Sequence, residues 1–277
     1  MSTLYIVATP IGNLEDITLR ALRILSEVDF ILCEDTRVTQ KLLSHYNIST
    51  TTISYHQHSD LHKIEHLLGL LKQGKNLALV SDAGTPGISD PGGKLVQAVI
   101  ERFGTDASEE TQDLASLRGE GTEVNIESVP GPSAVTAALS ISGIPTDRFI
   151  FLGFPPHKKG RQTFLHKIAE SEFPVVVYES KHRIIKFLEE LVHIDRINRN
   201  VQPETEEEDL SSLGQSRWKK KKPEEKKKKI NLTSVVVCRE LSKMHETVYR
   251  GELKNIIEQI KVSANDQKGE FVVIIGK

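Results

Sequence analysis

Short apolar runs alternate with stretches of helical spacing along most of this chain. Residues 4–8, 29–33, 51–55, 76–80 and 124–129 read as buried strands, each bounded by turn-forming residues. Between them, 18–25, 38–45, 61–71, the stretch from Lys94 to Glu101 and 133–141 place their apolar residues on one helical face. This β-α-β alternation predicts a mostly parallel sheet with helices on both faces. After Ile144-Pro145-Thr146-Asp147 the rhythm resumes, with strands at 149–152, 175–178, 234–238 and 271–275 and helices at 181–191 and 252–260. The expected fold class is therefore α/β in two domains, 1–146 and 147–277, with a ligand cleft between them.

Two stretches break the pattern. Residues 104–123 are acidic and rich in Ser, Thr and Gly. Residues 195–231 hold Glu206-Glu207-Glu208-Asp209 and then two lysine blocks, 219–222 and 226–229. Both read as disordered insertions, and the lysines as a solvated charge run or as a grip on phosphate backbones.

Composition narrows the class. At 277 residues and 38% hydrophobic the chain can build real cores, and no apolar run approaches a membrane span. A net charge of −2 argues against a nucleic-acid binder that uses its whole surface. The first strand follows the N-terminus directly, which predicts no signal peptide. Cys33 and Cys238 lie far apart within apolar runs, as buried reduced thiols of a cytoplasmic protein would. His58, His62 and His66 share a spacing that could line one helix face, but no further ligand has a matching position, so no metal is expected.

The chemistry concentrates after the strands. Residues 80–93 pack four glycines, two prolines and two aspartates between a strand and a helix. At the carboxyl ends of parallel strands such a loop is a ligand site. Gly87 to Gly93-Lys94 is one residue too long for a Walker loop, and Leu95 replaces its hydroxyl. Asp82 and Asp90 would repel phosphate. The loop suits a neutral or cationic ligand with hydrogen-bond donors, or on its own is a stiff surface connection. After the first strand, 9–16 offers one glycine where a dinucleotide fingerprint needs three. Glu34-Asp35-Thr36-Arg37, His56-Gln57-His58 and Pro130-Gly131-Pro132-Ser133 close the other strands of this half. In the second half, Glu179-Ser180-Lys181-His182-Arg183 and Arg239-Glu240-Leu241-Ser242-Lys243 do the same, either as ordinary ion pairs or as a cradle for a phosphate-bearing substrate.

Taken in order, these loops carry a resemblance. Residues 8–18, 33–37, 81–92, 130–134 and 151–155 resemble the bacterial 16S ribosomal RNA cytidine 2′-O-ribose methyltransferases, within the tetrapyrrole methylase superfamily. Tyr178-Glu179-Ser180, His182-Arg183 and Arg239-Glu240-Leu241 with Lys243 and Glu246 continue the likeness. The resemblance implies a homodimer with S-adenosylmethionine folded between two α/β domains. It places the cofactor on Pro10, Asp82, Gly84, Thr85, Ile88, Pro132, Ser133, Ala134, Tyr178, Arg239, Glu240 and Leu241. The implied target is the 2′-hydroxyl of a cytidine in the small ribosomal subunit. For the chemistry Asp35 and Glu179 are favoured, and Arg37, His56, His58, Lys181, His182, Arg183 and Lys243 are candidates for holding the RNA. A tetrapyrrole methyltransferase and a catalytically inert RNA-binding relative are the alternatives. Both insertions depart from the family pattern without breaking a motif.

Overall fold

The computed structural model describes residues 1–56, 61–90, 92–104, 123–200, 234–263 and 265–276, with side chains of the fourth stretch described to Asp195. Most of the two insertions, with the lysine blocks, lies outside the described residues, but the start of the second, 195–200, is helical rather than disordered. The chain folds as two compact units. One is Met1–Ile141 with Glu240–Thr247, and the other is Ser142–Arg239 with Val248–Lys277.

Unit 1 is a parallel sheet of β1 (Ser2–Val7), β2 (Phe30–Cys33), β3 (Thr52–Ser54), β4 (Leu77–Leu79) and β5 (Val124–Val129) in the order β3-β2-β4-β1-β5. Its helices are α1 (Leu19–Glu27), α2 (Thr36–His45), α3 (Leu61–Lys72), α4 (Gly92–Phe103) and α5 (Ala134–Ser142). Local chemistry sets the helix starts. Thr18 Oγ1 accepts from Ala21 N at 3.1 Å and caps α1, while Asp35 Oδ1 accepts from Arg37 N at 2.8 Å and caps α2.

The sheet buries both faces, as continuous apolar strands require. Val7, Ile31, Ala78 and Val129 join Ala21, Ile24 and Leu25 of α1 and Leu42 and Leu43 of α2. Leu4, Leu32, Leu77 and Leu79 join Leu67, Leu68 and Leu71 of α3 and Leu95 and Val99 of α4. Each fully buried leucine among these contributes about 1.5–3 kcal/mol of transfer free energy. Because β1 connects towards β2 and β4 connects towards β5, the chain changes winding direction between the neighbouring strands β4 and β1. That is the topological switch point at which open α/β sheets bind ligands.

Unit 2 holds β6 (Ile150–Phe151), β7 (Val175–Ser180), β8 (Val235–Arg239), β9 (Thr247–Gly251) and β10 (Glu270–Ile275), ordered β6-β7-β10-β8-β9. This sheet is mixed: β6 runs parallel to β7, while β10 is antiparallel to both β7 and β8. Helices α6 (Arg161–Glu170), α7 (Ile184–Asn200) and α8 (Leu253–Val262) accompany it. Ile184, Phe187, Leu188 and Leu191 of α7 and Ile256, Ile257 and Ile260 of α8 close a common core.

Three elements differ from the sequence reading. Helix α6 and strand β9 are additional. Leu165, Ile168 and Ala169 do give α6 a buried stripe, but it opens on a buried arginine, which masks its start. Helix α7 begins three residues later than 181 and runs through the polar stretch to Asn200, since Lys181 and His182 belong to a turn in which Arg183 N donates to Ser180 O at 3.0 Å. No helix among the described residues is long and apolar enough to cross a membrane.

Candidate functional site

The loops that follow β1, β2, β4 and β5 are bonded into one edge, and the loop after β4 is their hub. Thr9 N donates to Gly84 O at 2.9 Å and Gly84 N donates back to Thr9 O at 3.0 Å, which joins the β1 and β4 loops. Thr9 Oγ1 also donates to Ser81 O at 3.1 Å. Thr85 Oγ1 donates to Pro132 O at 3.1 Å, bringing in the β5 loop and the start of α5. Asp35 N donates to Asp82 Oδ1 at 3.1 Å, bringing in the β2 loop. Inside the hub, Asp90 Oδ1 accepts from Gly87 N at 2.6 Å and Gly92 N at 2.8 Å, which folds the loop onto the start of α4. Gly84 and Gly87 have φ of +84° and +88°, a region that side-chain-bearing residues enter only with strain.

Of the cofactor residues expected from sequence, Pro10, Asp82, Gly84, Thr85, Ile88, Pro132, Ser133 and Ala134 all lie on these joined loops. Asp82 and Ile88 are exposed, whereas Gly84 is buried.

The edge is acidic. Burial pushes the Glu34 carboxyl above the usual range, and the neighbouring charges of Asp82 and Asp90 push it further. Asp35 is the opposite case. Hydrogen bonds from the Arg37 side chain at 3.0 and 2.6 Å, then from its backbone, lower it to about 2. Sequence reasoning passed over Glu34 as a site residue, although its place at the end of β2 was the available signal. An acidic, glycine-lined edge fits a ligand whose reactive and anchoring groups are cationic, such as a sulfonium with an ammonium group.

A second loop belongs to unit 1 although it comes late in the chain. Glu240 and Ser242 both have positive φ, +51° and +65°, and shape a tight turn. Ser242 Oγ donates to Asp16 Oδ2, Ser242 N donates to Glu246 Oε2 at 2.7 Å, and Lys243 Nζ pairs with Glu240 Oε1 at 2.9 Å. A Cβ on Gly12 would run into Lys243 Cγ and approach Leu241 O to 3.2 Å. The expected residues Glu240, Leu241 and Lys243 are thereby brought against the β1 loop.

The expected residues of unit 2 are placed differently. Glu179 is buried; its Oε1 accepts from Ser180 N at 2.7 Å and pairs with Arg183 at 2.8 Å, while Oε2 has no hydrogen-bond partner among the described residues. Burial raises its pKa, against the opposing pull of Ser180 N–H, Arg183 and Arg161. Arg183 also donates to Pro155 O at 2.9 Å. Arg239 is buried and donates to Lys268 O at 2.8 Å and Asn265 O at 2.6 Å, tying down the turn before β10. Tyr178 is half-buried between Phe151 and Phe154, with ring centroids 4.9 and 5.4 Å away. Arg37, His56, Lys181 and His182 are exposed. His58 lies outside the described residues.

Fold and edge together correspond to one class of protein, since residues 3–257 match the family of tetrapyrrole (corrin/porphyrin) methylases. The same fold occurs in the uroporphyrin-III-C-methyltransferase of Thermus thermophilus, with a TM-score of 0.56 and 15% identity over 99% of this chain and 94% of that one. It occurs also in a cobalt precorrin-4 methyltransferase, with a TM-score of 0.58 and 17% identity over 99% of this chain and 94% of that one. Relatives in sequence bear another name. Ribosomal RNA small subunit methyltransferase I of Hydrogenobaculum sp. is 38% identical over 99% of this chain and 95% of its own length. That of Thermotoga maritima is 35% identical over 99% and 98%, and that of Escherichia coli O157:H7 is 38% identical over 98% and 77%. The chain belongs to the tetrapyrrole methylase family and, within it, to the ribosomal RNA small subunit methyltransferase I family.

Proposed function

We propose that this enzyme transfers a methyl group from S-adenosylmethionine to the ribose 2′-hydroxyl of a cytidine in 16S ribosomal RNA. The observation that carries the reading is the near full-length similarity, at 35–40% identity, to relatives named for the small ribosomal subunit. The tetrapyrrole methyltransferases share the fold at 15–17% identity.

When bound, S-adenosylmethionine supplies an electrophilic methyl on a cationic sulfur. The residues of the unit 1 edge fit such a molecule. Asp82 offers an exposed carboxylate to an ammonium group or to ribose hydroxyls, and Glu34 adds negative charge beside it. Gly84 and Gly87 let backbone amides approach closely. Ile88, Thr85, Pro132, Ser133 and Ala134 line the same edge, and Pro10, Tyr178, Arg239, Glu240 and Leu241 are proposed as further contributors. In-line displacement at a methyl carbon depends above all on positioning, and the cross-bonding of the four loops supplies it.

Asp35 and Glu179 take different parts in this proposal. A carboxylate whose pKa lies near 2 is too weak a base to draw a proton from a ribose hydroxyl at neutral pH. Asp35 instead orients Arg37 and offers its N–H to Asp82. Glu179 orients Arg183. Lys243, set against the β1 loop, together with Arg37, His56, His58, Lys181 and His182, is proposed to meet the RNA. Two copies of the chain, acting in the cytoplasm, complete the proposal.

Primer extension on small ribosomal subunits incubated with the protein and S-adenosylmethionine tests it. A new stop at a cytidine ribose is expected. Transfer to uroporphyrinogen instead of to subunits would replace the reading with the tetrapyrrole one.

A further inference from the structure

Unit 2 displays an aromatic ring that lies outside its core. Phe154 is 51% exposed, yet its ring is set 5.4 Å from Tyr178 at 59°. The loop that carries it is fixed from several sides. Tyr178 N donates to Gly153 O at 3.0 Å, Arg183 to Pro155 O at 2.9 Å and Arg161 to Pro156 O at 3.0 Å. Each of those guanidiniums is braced in turn by a carboxylate: Arg183 by Glu179 at 2.8 Å, Arg161 by Glu190 at 2.7 Å. Two prolines restrict the backbone further. Two arginines, each paired with a carboxylate, therefore hold a short turn whose outward feature is one phenyl ring.

The surroundings of the ring are basic. His157, Lys158 and Lys159 follow it after two prolines, and Lys181 and His182 follow the strand that carries Tyr178; all are exposed. No acidic residue occurs from Arg148 through Ala169, or from Ser180 through Leu188. A rigid aromatic face among cations is the recognition chemistry of unpaired nucleotides, with the base stacked on the ring and phosphates taken by the cations.

We infer that Phe154 is a stacking platform for an unpaired base of the RNA substrate, and that Arg161 and Arg183 are positioning residues that hold it in place. Lys158, Lys159, Lys181 and His182 take the flanking phosphates. The inference rests on the ribosomal RNA reading above.

Steady-state methyl transfer to small subunits and anisotropy titration of a short single-stranded RNA test it together. Phe154→Ala is expected to raise KM for subunits and Kd for the oligonucleotide about 10-fold, as loss of one base–aromatic stack does. It is expected to leave S-adenosylmethionine binding by calorimetry unchanged, and Phe154→Trp is expected to restore both constants. Arg161→Lys is expected to weaken RNA binding in the native background and to add nothing in the Phe154→Ala background, the non-additivity of residues acting through one ring. Native KM and Kd in Phe154→Ala, or a loss that Trp does not restore, overturns the inference. So does a Phe154→Ala protein that keeps its RNA affinity but sediments as a smaller species, which would make this face an interface between copies. If the native protein transfers no methyl group to subunits, the functional reading fails, and the oligonucleotide titration still decides the stacking.

Discussion

Thr9 and Gly84 exchange both of their backbone hydrogen bonds, at 2.9 and 3.0 Å, across the point where the unit 1 sheet reverses its winding. The pair joins two loops that lie more than seventy residues apart in sequence. Its geometry depends on Gly84 lying at φ +84°, where a Cβ would cost about 1–2 kcal/mol in backbone strain.

Gly84→Ala should therefore destabilise the protein by about 1–2 kcal/mol. The nearest atom to a new Cβ is Ile11 Cγ2 at 3.5 Å, an ordinary contact, so strain rather than collision sets the size. Urea unfolding measures the loss, and calorimetric titration should show weaker S-adenosylmethionine binding.

Gly12→Ala probes the late loop. Its Cβ would displace the Lys243 side chain and press on Leu241 O. Leu241 is buried and Lys243 Cγ lies close to the Gly12 backbone, so the turn must shift and the midpoint of thermal unfolding should fall by a few degrees, roughly what a loss of 1 kcal/mol gives. Methyl transfer should fall clearly, and Lys243→Met should reproduce the fall. Full activity in Gly12→Ala would remove this turn from the site.

Asp35 and Glu34 make opposite predictions about pH. The folded pKa of Asp35, about 2, lies below its unfolded value, so its stabilising effect is present above that unfolded value and is lost as pH falls through about 2. Asp35 is ionised throughout the range of any methyl-transfer assay. An acidic limb in kcat/KM between roughly pH 5 and 8 must then belong to another group, and Asp35→Asn should leave that limb in place.

For Glu34 the folded pKa is raised, chiefly by burial and then by Asp82 and Asp90. Its contribution to stability is present below the unfolded pKa and is lost as pH rises through the folded one. Glu34→Gln should raise the thermal midpoint at neutral pH, and the gain should vanish below about pH 4. Calorimetry run at two pH values measures it. The same variant should bind S-adenosylmethionine less tightly, because the cation loses a neighbouring charge.

Arg161 is buried at 7% exposure and pairs with Glu190 at 2.7 Å. Removing one partner of a buried pair leaves the other uncompensated, so Arg161→Ala should cost about 3 kcal/mol in urea unfolding. Arg161→Lys should cost less, because it keeps the charge but loses the second donor that reaches Pro156 O.

Periodicity alone determined the α/β class, most of the strands and the glycine-rich hub between β4 and α4. These are local signals: apolar runs such as Leu77-Ala78-Leu79 bury wherever the sheet forms, and Asp90 folds its own loop through hydrogen bonds to Gly87 and Gly92. The expected ligand class rested on local signals as well, because carboxylates at the carboxyl edge of a sheet disfavour a bare phosphate. Strand order was not legible. Nothing in Leu77–Leu79 says that it inserts between β2 and β1, which is what creates the switch point. The turn at Glu240–Thr247, more than two hundred residues away from Gly12, meets it only through the tertiary fold. Nor could sequence tell an arginine left in solvent from one that braces a loop. Arg183 and Arg37 read alike as cations at strand ends, but one lies against Glu179 and Pro155 O while the other is held by Asp35 in solvent. Their difference is desolvation, a property of the surroundings that the folded chain assembles rather than of the residue itself.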